Sequence, residues 1–425
     1  MKSYCEAGRQ RLQRLQVVRA AAVVTMEGQV LRGGQLWIEA GRIAAIESAE
    51  KGWGGSRRRG LDLGQAVLLP GLINGHCHLE LSGLAGRIRY GGDFAGWLVR
   101  VMAGRPRTRA AVAKAVRAGA DASLAAGVTC VADISYRNRA WPVLREHPIR
   151  AVCFAECLGI GPRRFDAIER LRRDMDGMTG DDRLLVGISP HAPYSVAAEV
   201  YRQCLELARR NGWLLTTHLS ETRAEVQFVR DGKGSLYRLL RAMGLCDASV
   251  AGSGLRPVAY AKRIGLLDFG TLLAHVNYLD ESELELLADS PCSVVYCPRS
   301  HRYFGHRGHR FRQMLEAGVN VCIGTDGLAS SPSLSVLEEL RLLRRRHRDL
   351  PGSTLLAMAT INGARALGLG ERIGSLKVGK RADIMAIPLD PAGPAEPLEN
   401  ILRSRAEPIL VAIDGQKLVD RTKGR

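Results

Sequence analysis

Eight short apolar runs, separated by stretches of helical periodicity, dominate the pattern of hydrophobic and polar positions. They are AVLLPGLIN (66–74), GVTCVADI (127–134), IRAVCFAECL (149–158), RLLVGIS (183–189), WLLTTH (213–218), TLLAHV (271–276), SVVYCP (293–298) and VNVCIGT (319–325). Between them, segments such as RAAVAKAVRAGADASLAAG (109–127) and AAEVYRQCLELARRNG (197–212) carry apolar residues at the spacing of a helix with one buried face. Runs this apolar are expected of parallel strands covered by helices on both faces. Eight strand–helix alternations predict an α/β protein, a closed (β/α)8 barrel of the TIM type over residues 68–370. The stretch 219–270 is long enough for extra helices or a lid.

The two ends of the chain read differently. VVRAAAVVTM (17–26) and QVLRGGQLWIEAGRIAAIES (29–48) look like short strands, with Gly33-Gly34 and Ala40-Gly41 as hairpin corners. GWGGSRRRG (52–60) looks like a loop, and GSLKVGKRADIMAI (374–387) and ILVAIDGQKLVD (409–420) again like strands. Residues 1–67 and 371–425 are therefore expected to form one small β-sandwich domain from both termini.

A length of 425 residues suits a single large barrel with such an appendage. Aromatic residues make up 5% against 46% hydrophobic, so aliphatic packing must dominate. No uncharged apolar run reaches the length of a membrane-spanning helix, and the N-terminal residues are charged where a signal peptide is apolar. A cytoplasmic protein without membrane association is the expectation. The ten cysteines include no CxxC pair and are expected to be buried, reduced thiols. The formal net charge of +18 comes mostly from arginine, clustered at Arg57–Arg59, at Arg163–Arg164 and around Arg341, Arg344, Arg345, Arg346 and Arg348. Such charge suits a nucleic-acid binder, but no recognition motif accompanies it, and nucleic acid is not an expected partner.

Candidate chemistry gathers at the C-terminal ends of the eight runs, where barrel enzymes place their sites. Of ten histidines, His76, His78, His191, His218, His275 and His301 stand at or just past a strand end, and Asp326 ends the last run. Alternate residues of a strand point the same way, so His76 and His78 can converge on one ion. Joined by His218 and Asp326, they make a donor set suited to Zn2+ or Fe2+, with room for a water if the ion is five-coordinate.

PGLINGHCHLE, THLSE, LLAHVNYL and IGTDGLASSPSLSVLEELR resemble the amidohydrolase superfamily, within it the branch of nucleoside and base deaminases and triazine chlorohydrolases. The likeness runs over residues 15–420, with GSLKVGKRADIMAI similar to the branch's closing β-domain. The resemblance implies that His76, His78, His218 and Asp326 hold one divalent ion, that His275 orients or polarises the hydrolytic water, and that Glu221 shuttles protons. The strand-four region GISPHAPYS lacks the carboxylated lysine of many two-metal relatives, which by the same resemblance implies a single ion. By the same resemblance, water activated there is expected to attack an amino-bearing sp2 carbon, with Glu221 protonating the adjacent ring nitrogen and Asp326 and His275 helping to remove the water's proton, so that ammonia leaves.

Substrate contacts are less sharply marked. His191, in SPHAPYSV, matches a substrate-contacting histidine of methylthioadenosine and S-adenosylhomocysteine deaminases. Glu80 stands where it can bind a ribose hydroxyl or ring nitrogen, or serve structure. CPRSH is similar to a segment of aminofutalosine deaminases, and Arg299 there can pair with a substrate carboxylate. His301 departs from the asparagine of most relatives; with His306 it either clamps substrate or caps a helix. Phe94 and Trp97 either wall the pocket over a base or belong to the core. The expected activity is metal-dependent hydrolytic deamination of an adenine-type nucleoside (methylthioadenosine, S-adenosylhomocysteine, adenosine or aminofutalosine class). The alternatives are attack on C–N or C–Cl bonds of guanine, cytosine, triazines or cyclic amides, and a non-catalytic barrel used as a scaffold. The expected partner is a small-molecule substrate, in a homodimer or higher homo-oligomer.

Overall fold

A computed structural model describes residues 14–28, 30–48, 60–247 and 250–422. The N-terminal strands are β1 (Val17–Val24), β2 (Val30–Glu39), β3 (Arg42–Ser48), β4 (Leu61–Asp62) and β5 (Ala66–Pro70). Ala40 and Gly41 form the β2–β3 corner, both with positive φ (48° and 79°), as the favoured two-residue hairpin turn requires. Gly33-Gly34, expected as a corner, instead lies inside β2, opposite β1. A Cβ on Gly34 would come within 2.6 Å of Val23 Cγ2, so close strand packing, rather than a turn, explains that glycine. Cys5, Arg57–Arg59 and all but Gly60 of the loop expected over 52–60 lie outside the described residues.

The first apolar run, 66–74, is two strands rather than one. β5 ends at Pro70, and β6 (Leu72–Cys77) begins a different sheet. Gly71 makes the passage: a Cβ there would sit 2.2 Å from the Thr129 side chain. The remaining runs become β7 (Val128–Tyr136), β8 (Arg150–Cys157), β9 (Leu184–Pro190), β10 (Leu214–Leu219), β11 (Leu272–His275), β12 (Ser293–Tyr296) and β13 (Asn320–Ile323). The eight strands β6 to β13 are parallel and adjacent in chain order. Closure is made at the mouth, where the His76 carbonyl accepts the backbone N–H groups of Thr325 (3.1 Å) and Asp326 (3.0 Å). The Asn74 side chain reinforces it, donating to Thr325 Oγ1 (2.7 Å) and accepting Thr325 N–H (3.1 Å). Ile73, Cys130, Ile134, Phe154, Val295 and Cys322 pack in one buried cluster of these strands, and a larger apolar cluster fills the space towards the outer helices.

The chain then returns to the first sheet as β14 (Ile384–Pro388), β15 (Leu410–Ile413) and β16 (Gln416–Asp420). β5 joins the two ends of the chain, pairing parallel with β1 and antiparallel with β14 in one mixed sheet. Arg150, at the start of β8, ties this sheet to the barrel base. Its guanidinium donates to Asp383 Oδ2 (2.8 Å), Asp383 Oδ1 (3.2 Å), Asp414 Oδ1 (3.1 Å) and the Asp182 carbonyl (2.7 Å). Among the described residues the 219–270 stretch holds three α-helices, Arg223–Asp231, Ser235–Ala242 and Pro257–Arg263, and a short 3-10 turn at Leu266–Asp268. Phe228, Leu236 and Leu240 from them join Leu81, Phe94 and Trp97 in an apolar cluster beside the mouth. No helix among the described residues is long and apolar enough to cross a membrane. The nine described cysteines are free thiols, eight of them buried.

Candidate active site

The strand ends that form the mouth carry backbone strain. Ser220 after β10, His275 at the end of β11, Val276 beyond it and Asp326 after β13 have φ of 52°, 77°, 47° and 58°, a region that side-chain-bearing residues avoid. These turns aim side chains inward. His78 Nε2 and His218 Nε2 lie 3.2 Å apart. Asp326 Oδ1 lies 3.6 Å from His78 Nε2 and 3.8 Å from His76 Nε2. The His76 ring stands 4.8 Å from that of His218 and 5.3 Å from that of His275, centre to centre. Glu221 Oε1 is 3.8 Å from His275 Nε2. Three overlapping groups each have donor atoms close enough to share one ion: His76, His218 and His275; His76, His78 and Asp326; and Glu221, His275 and Asp326.

The donors are prepared for a cation. His218 Nδ1 faces the His191 carbonyl at 2.8 Å, which assigns its proton there and leaves Nε2 as a lone-pair donor. Burial, then repulsion from neighbouring histidines, holds His76 and His78 well below the ordinary histidine range, so both rings are neutral. Burial also lowers His218, opposed by the charge of Asp326. Asp326 Oδ2 is held by the hydroxyls of Ser300 (2.8 Å) and Ser330, while Oδ1 accepts Gly327 N–H at 2.8 Å. Both ring nitrogens of His76, Nδ1 of His78 and Nε2 of His275 are buried without a hydrogen-bond partner among the described residues. Unpaired buried nitrogens are costly, and a divalent ion ligated by neutral imidazoles and a carboxylate fits this donor set.

Burial, with the charges of Asp326 and Glu225, pushes the Glu221 carboxyl well above the carboxylate range, which favours its protonated form. Its backbone is fixed from both sides. Glu225 accepts the N–H groups of Ser220 (2.7 Å) and Glu221 (2.8 Å), and the Asn277 amide donates to the Glu221 carbonyl (2.9 Å).

His78, His191, His218, Glu221 and Asp326 open onto a cavity of about 170 Å3. Its far wall is apolar, including Trp97, Val101, Ile160, Leu236 and Leu240. Trp97 stacks on Phe94 with ring centres 5.5 Å apart, so this pair both lines the cavity and belongs to a buried cluster. His191 is oriented by Ser195, with Nδ1 2.7 Å from its hydroxyl oxygen.

Three residues expected to contact substrate do not line this cavity. Arg299 is committed elsewhere: it donates to Glu339 Oε1 (2.6 Å), Ser333 Oγ (3.0 Å) and the carbonyls of Ser333 (2.8 Å) and Ser335 (3.1 Å). A guanidinium engaged this fully has no free fork for a carboxylate. Glu80 stands behind Arg105, whose Nε is 3.1 Å from Glu80 Oε1. His301 packs against Tyr296, His306 and His309 instead. The cavity does include Arg105 and Glu156, which were not anticipated. Glu156 had a signal, a carboxylate inside the apolar run 149–158; Arg105 is one arginine among many and had none.

Comparison with known proteins identifies the family and the fold. The model of the amidohydrolase family matches residues 67–418. A 5-methylthioadenosine/S-adenosylhomocysteine deaminase of Syntrophobacter fumaroxidans is 31% identical over 379 residues, 85% of this chain and 81% of that protein. The crystal structure of Helicobacter pylori aminofutalosine deaminase in complex with methylthio-coformycin superposes with a TM-score of 0.83 at 25% identity, covering 95% of this chain and 100% of that one. An adenosine deaminase from Xanthomonas campestris, solved with bound zinc, gives 0.80 at 26% identity, covering 96% and 94%.

Proposed function

This chain belongs to the amidohydrolase family, and from that premise we propose that it is a hydrolytic deaminase of adenine-type nucleosides, using one divalent ion held by His76, His78, His218 and Asp326. It is a hydrolase acting on carbon–nitrogen bonds. The catalytic unit is the barrel, β6 to β13 with its helices; the composite β-domain holds β1 to β5 and β14 to β16, so the boundary expected between 67 and 68 falls after Pro70 instead. The observation that carries the reading is the set of buried imidazole nitrogens without hydrogen-bond partners around Asp326, among the described residues, with the Glu221 carboxyl 3.8 Å from His275 Nε2.

When bound, Zn2+ or Fe2+ supplies Lewis acidity that brings the pKa of water towards 7. The zinc in the Xanthomonas campestris structure favours Zn2+. Asp326, its Oδ2 occupied by two serines, would offer Oδ1 to the ion, and with His275 Nε2 it takes up the proton of the attacking water. Glu221 delivers its proton to the ring nitrogen beside the amino-bearing carbon, which makes that carbon electrophilic. Proton return to the amino nitrogen releases ammonia. Trp97 covers the base, and His191 meets the substrate through Nε2, since Nδ1 is engaged with Ser195.

The test is ammonia release by the metal-loaded protein from methylthioadenosine, S-adenosylhomocysteine, adenosine and aminofutalosine, with guanine, cytosine and a triazine as contrasts. Turnover within the first group is expected. Turnover confined to the second would replace this reading with another hydrolase of the same family.

A further inference from the structure

The histidine-rich segment after β12, His301 to His309, has no part in the chemistry above. One of its rings nevertheless reaches the site: His309 Nε2 lies 2.8 Å from the backbone carbonyl of His275. His275 is where the chain leaves regular geometry, with φ of 77°, followed by Val276 at 47°. A β-branched residue such as Val276 is especially ill-suited to that region.

The register explains why an extra bond belongs here. On one side β11 pairs with β10 as far as His275, opposite Leu219. On the other side its pairing with β12 stops at Ala274, opposite Val295, among the described residues. The His275 carbonyl lies just past that ladder, and the His309 ring reaches it from a chain segment that follows β12. The donor is itself anchored: its ring stacks on Tyr296, the last residue of β12, at 3.8 Å and 19°, with the His301 ring edge-on at 5.7 Å. Burial lowers the His309 pKa to about 4, so the ring is neutral, and Nδ1 has no partner among the described residues. A neutral ring facing a carbonyl carries its proton on Nε2, which assigns it as donor.

We infer that His309 is a positioning residue: its Nε2–H holds the His275 carbonyl, fixing the left-handed turn that keeps His275 Nε2 facing Glu221 and the His76 and His218 rings. The inference rests on the role given to His275 above. It also assigns work to His301 and Tyr296, which pack the donor in place.

Two substitutions separate the donor from its packing. His309→Phe keeps a ring against Tyr296 and removes the N–H; His309→Gln loses the ring and keeps an amide donor. Ammonia release from methylthioadenosine is measured with His275→Leu as reference. His309→Phe should lower kcat on the order of 10-fold, the low end for removing a supporting hydrogen bond beside a metal site. KM should stay within about twofold, with metal content unchanged, and His309→Gln should recover most of the rate. Full kcat in His309→Phe, or equal losses in both variants, would overturn the inference. Normal kcat in His275→Leu would instead remove the role of His275 and the inference with it. Should the wild type release no ammonia from any nucleoside, the functional reading fails separately. Amide exchange of residues 272–278 then decides the positioning claim: faster exchange in His309→Phe, restored in His309→Gln, sustains it, and unchanged exchange refutes it.

Discussion

Arg150 at the base of the barrel and His76 at its mouth are each 1% exposed. Every guanidinium nitrogen of Arg150 has an acceptor, shared among Asp383, Asp414 and the Asp182 carbonyl. Neither ring nitrogen of His76 has a hydrogen-bond partner among the described residues. Burying a polar group is tolerable when its hydrogen bonds are replaced and costly when they are not. The base therefore spends its buried polar groups on joining two sheets. The mouth holds its own in reserve, in strained backbone, for a cation and a substrate that complete them.

The comparison breaks most visibly at Glu221. Glu221→Gln keeps the shape and removes the transferable proton. A fall in kcat of roughly 10²–10⁴-fold is expected, as for loss of a general acid, with metal content unchanged. A near-normal rate would remove the proton from the account of the mouth. At the base, Arg150→Met leaves Asp383 buried without its main partner. A loss of about 3–5 kcal/mol of stability is expected, typical of breaking a buried ion pair. Denaturant unfolding measures it, and metal content in the folded fraction should stay constant. A variant as stable as wild type would mean that the base is not held by this staple.

The smallest effect is a pH slope. Burial raises Asp133 from the ordinary carboxylate value of 3.8 to about 7, opposed by the Leu79 N–H that it accepts at 2.7 Å. The folded chain binds this proton more tightly than the unfolded chain does. Its contribution to stability is complete below 3.8 and is lost as pH rises through about 7. Asp133→Asn keeps the acceptor for Leu79 and removes the titration. It should flatten the fall in stability between those values; an unchanged slope, read from unfolding at several pH values, would assign it to other groups.

Much of this molecule was legible in the sequence, because buried parallel strands are continuously apolar and end at polar residues. The run 183–189 and the strand Leu184–Pro190 nearly coincide for that reason. What was not legible depends on tertiary contact. The 66–74 run gives no sign that it serves two sheets, since both are buried, and only the approach of Thr129 explains Gly71. Gly33-Gly34 carries the composition of a turn and the job of close packing. At the site, His76, His78, His218 and Asp326 were visible as strand-end donors, and they do converge. Arg299 was misplaced because motif position cannot reveal that Glu339, forty residues on, takes its guanidinium. The basic charge has a similar explanation in part: Arg341 and Arg344 are buried and donate to the carbonyls of Ile401, Ala406, Leu350 and Arg348.

The most direct measurement is the divalent-metal content of purified wild type and His218→Ala, by elemental analysis on protein shown to be folded. About one ion per chain is expected in the wild type, as for a site of three imidazoles and a carboxylate, and almost none in the variant, with activity lost in step. Full occupancy in His218→Ala, or a wild type that deaminates nucleosides after complete metal removal, would contradict the account of the mouth.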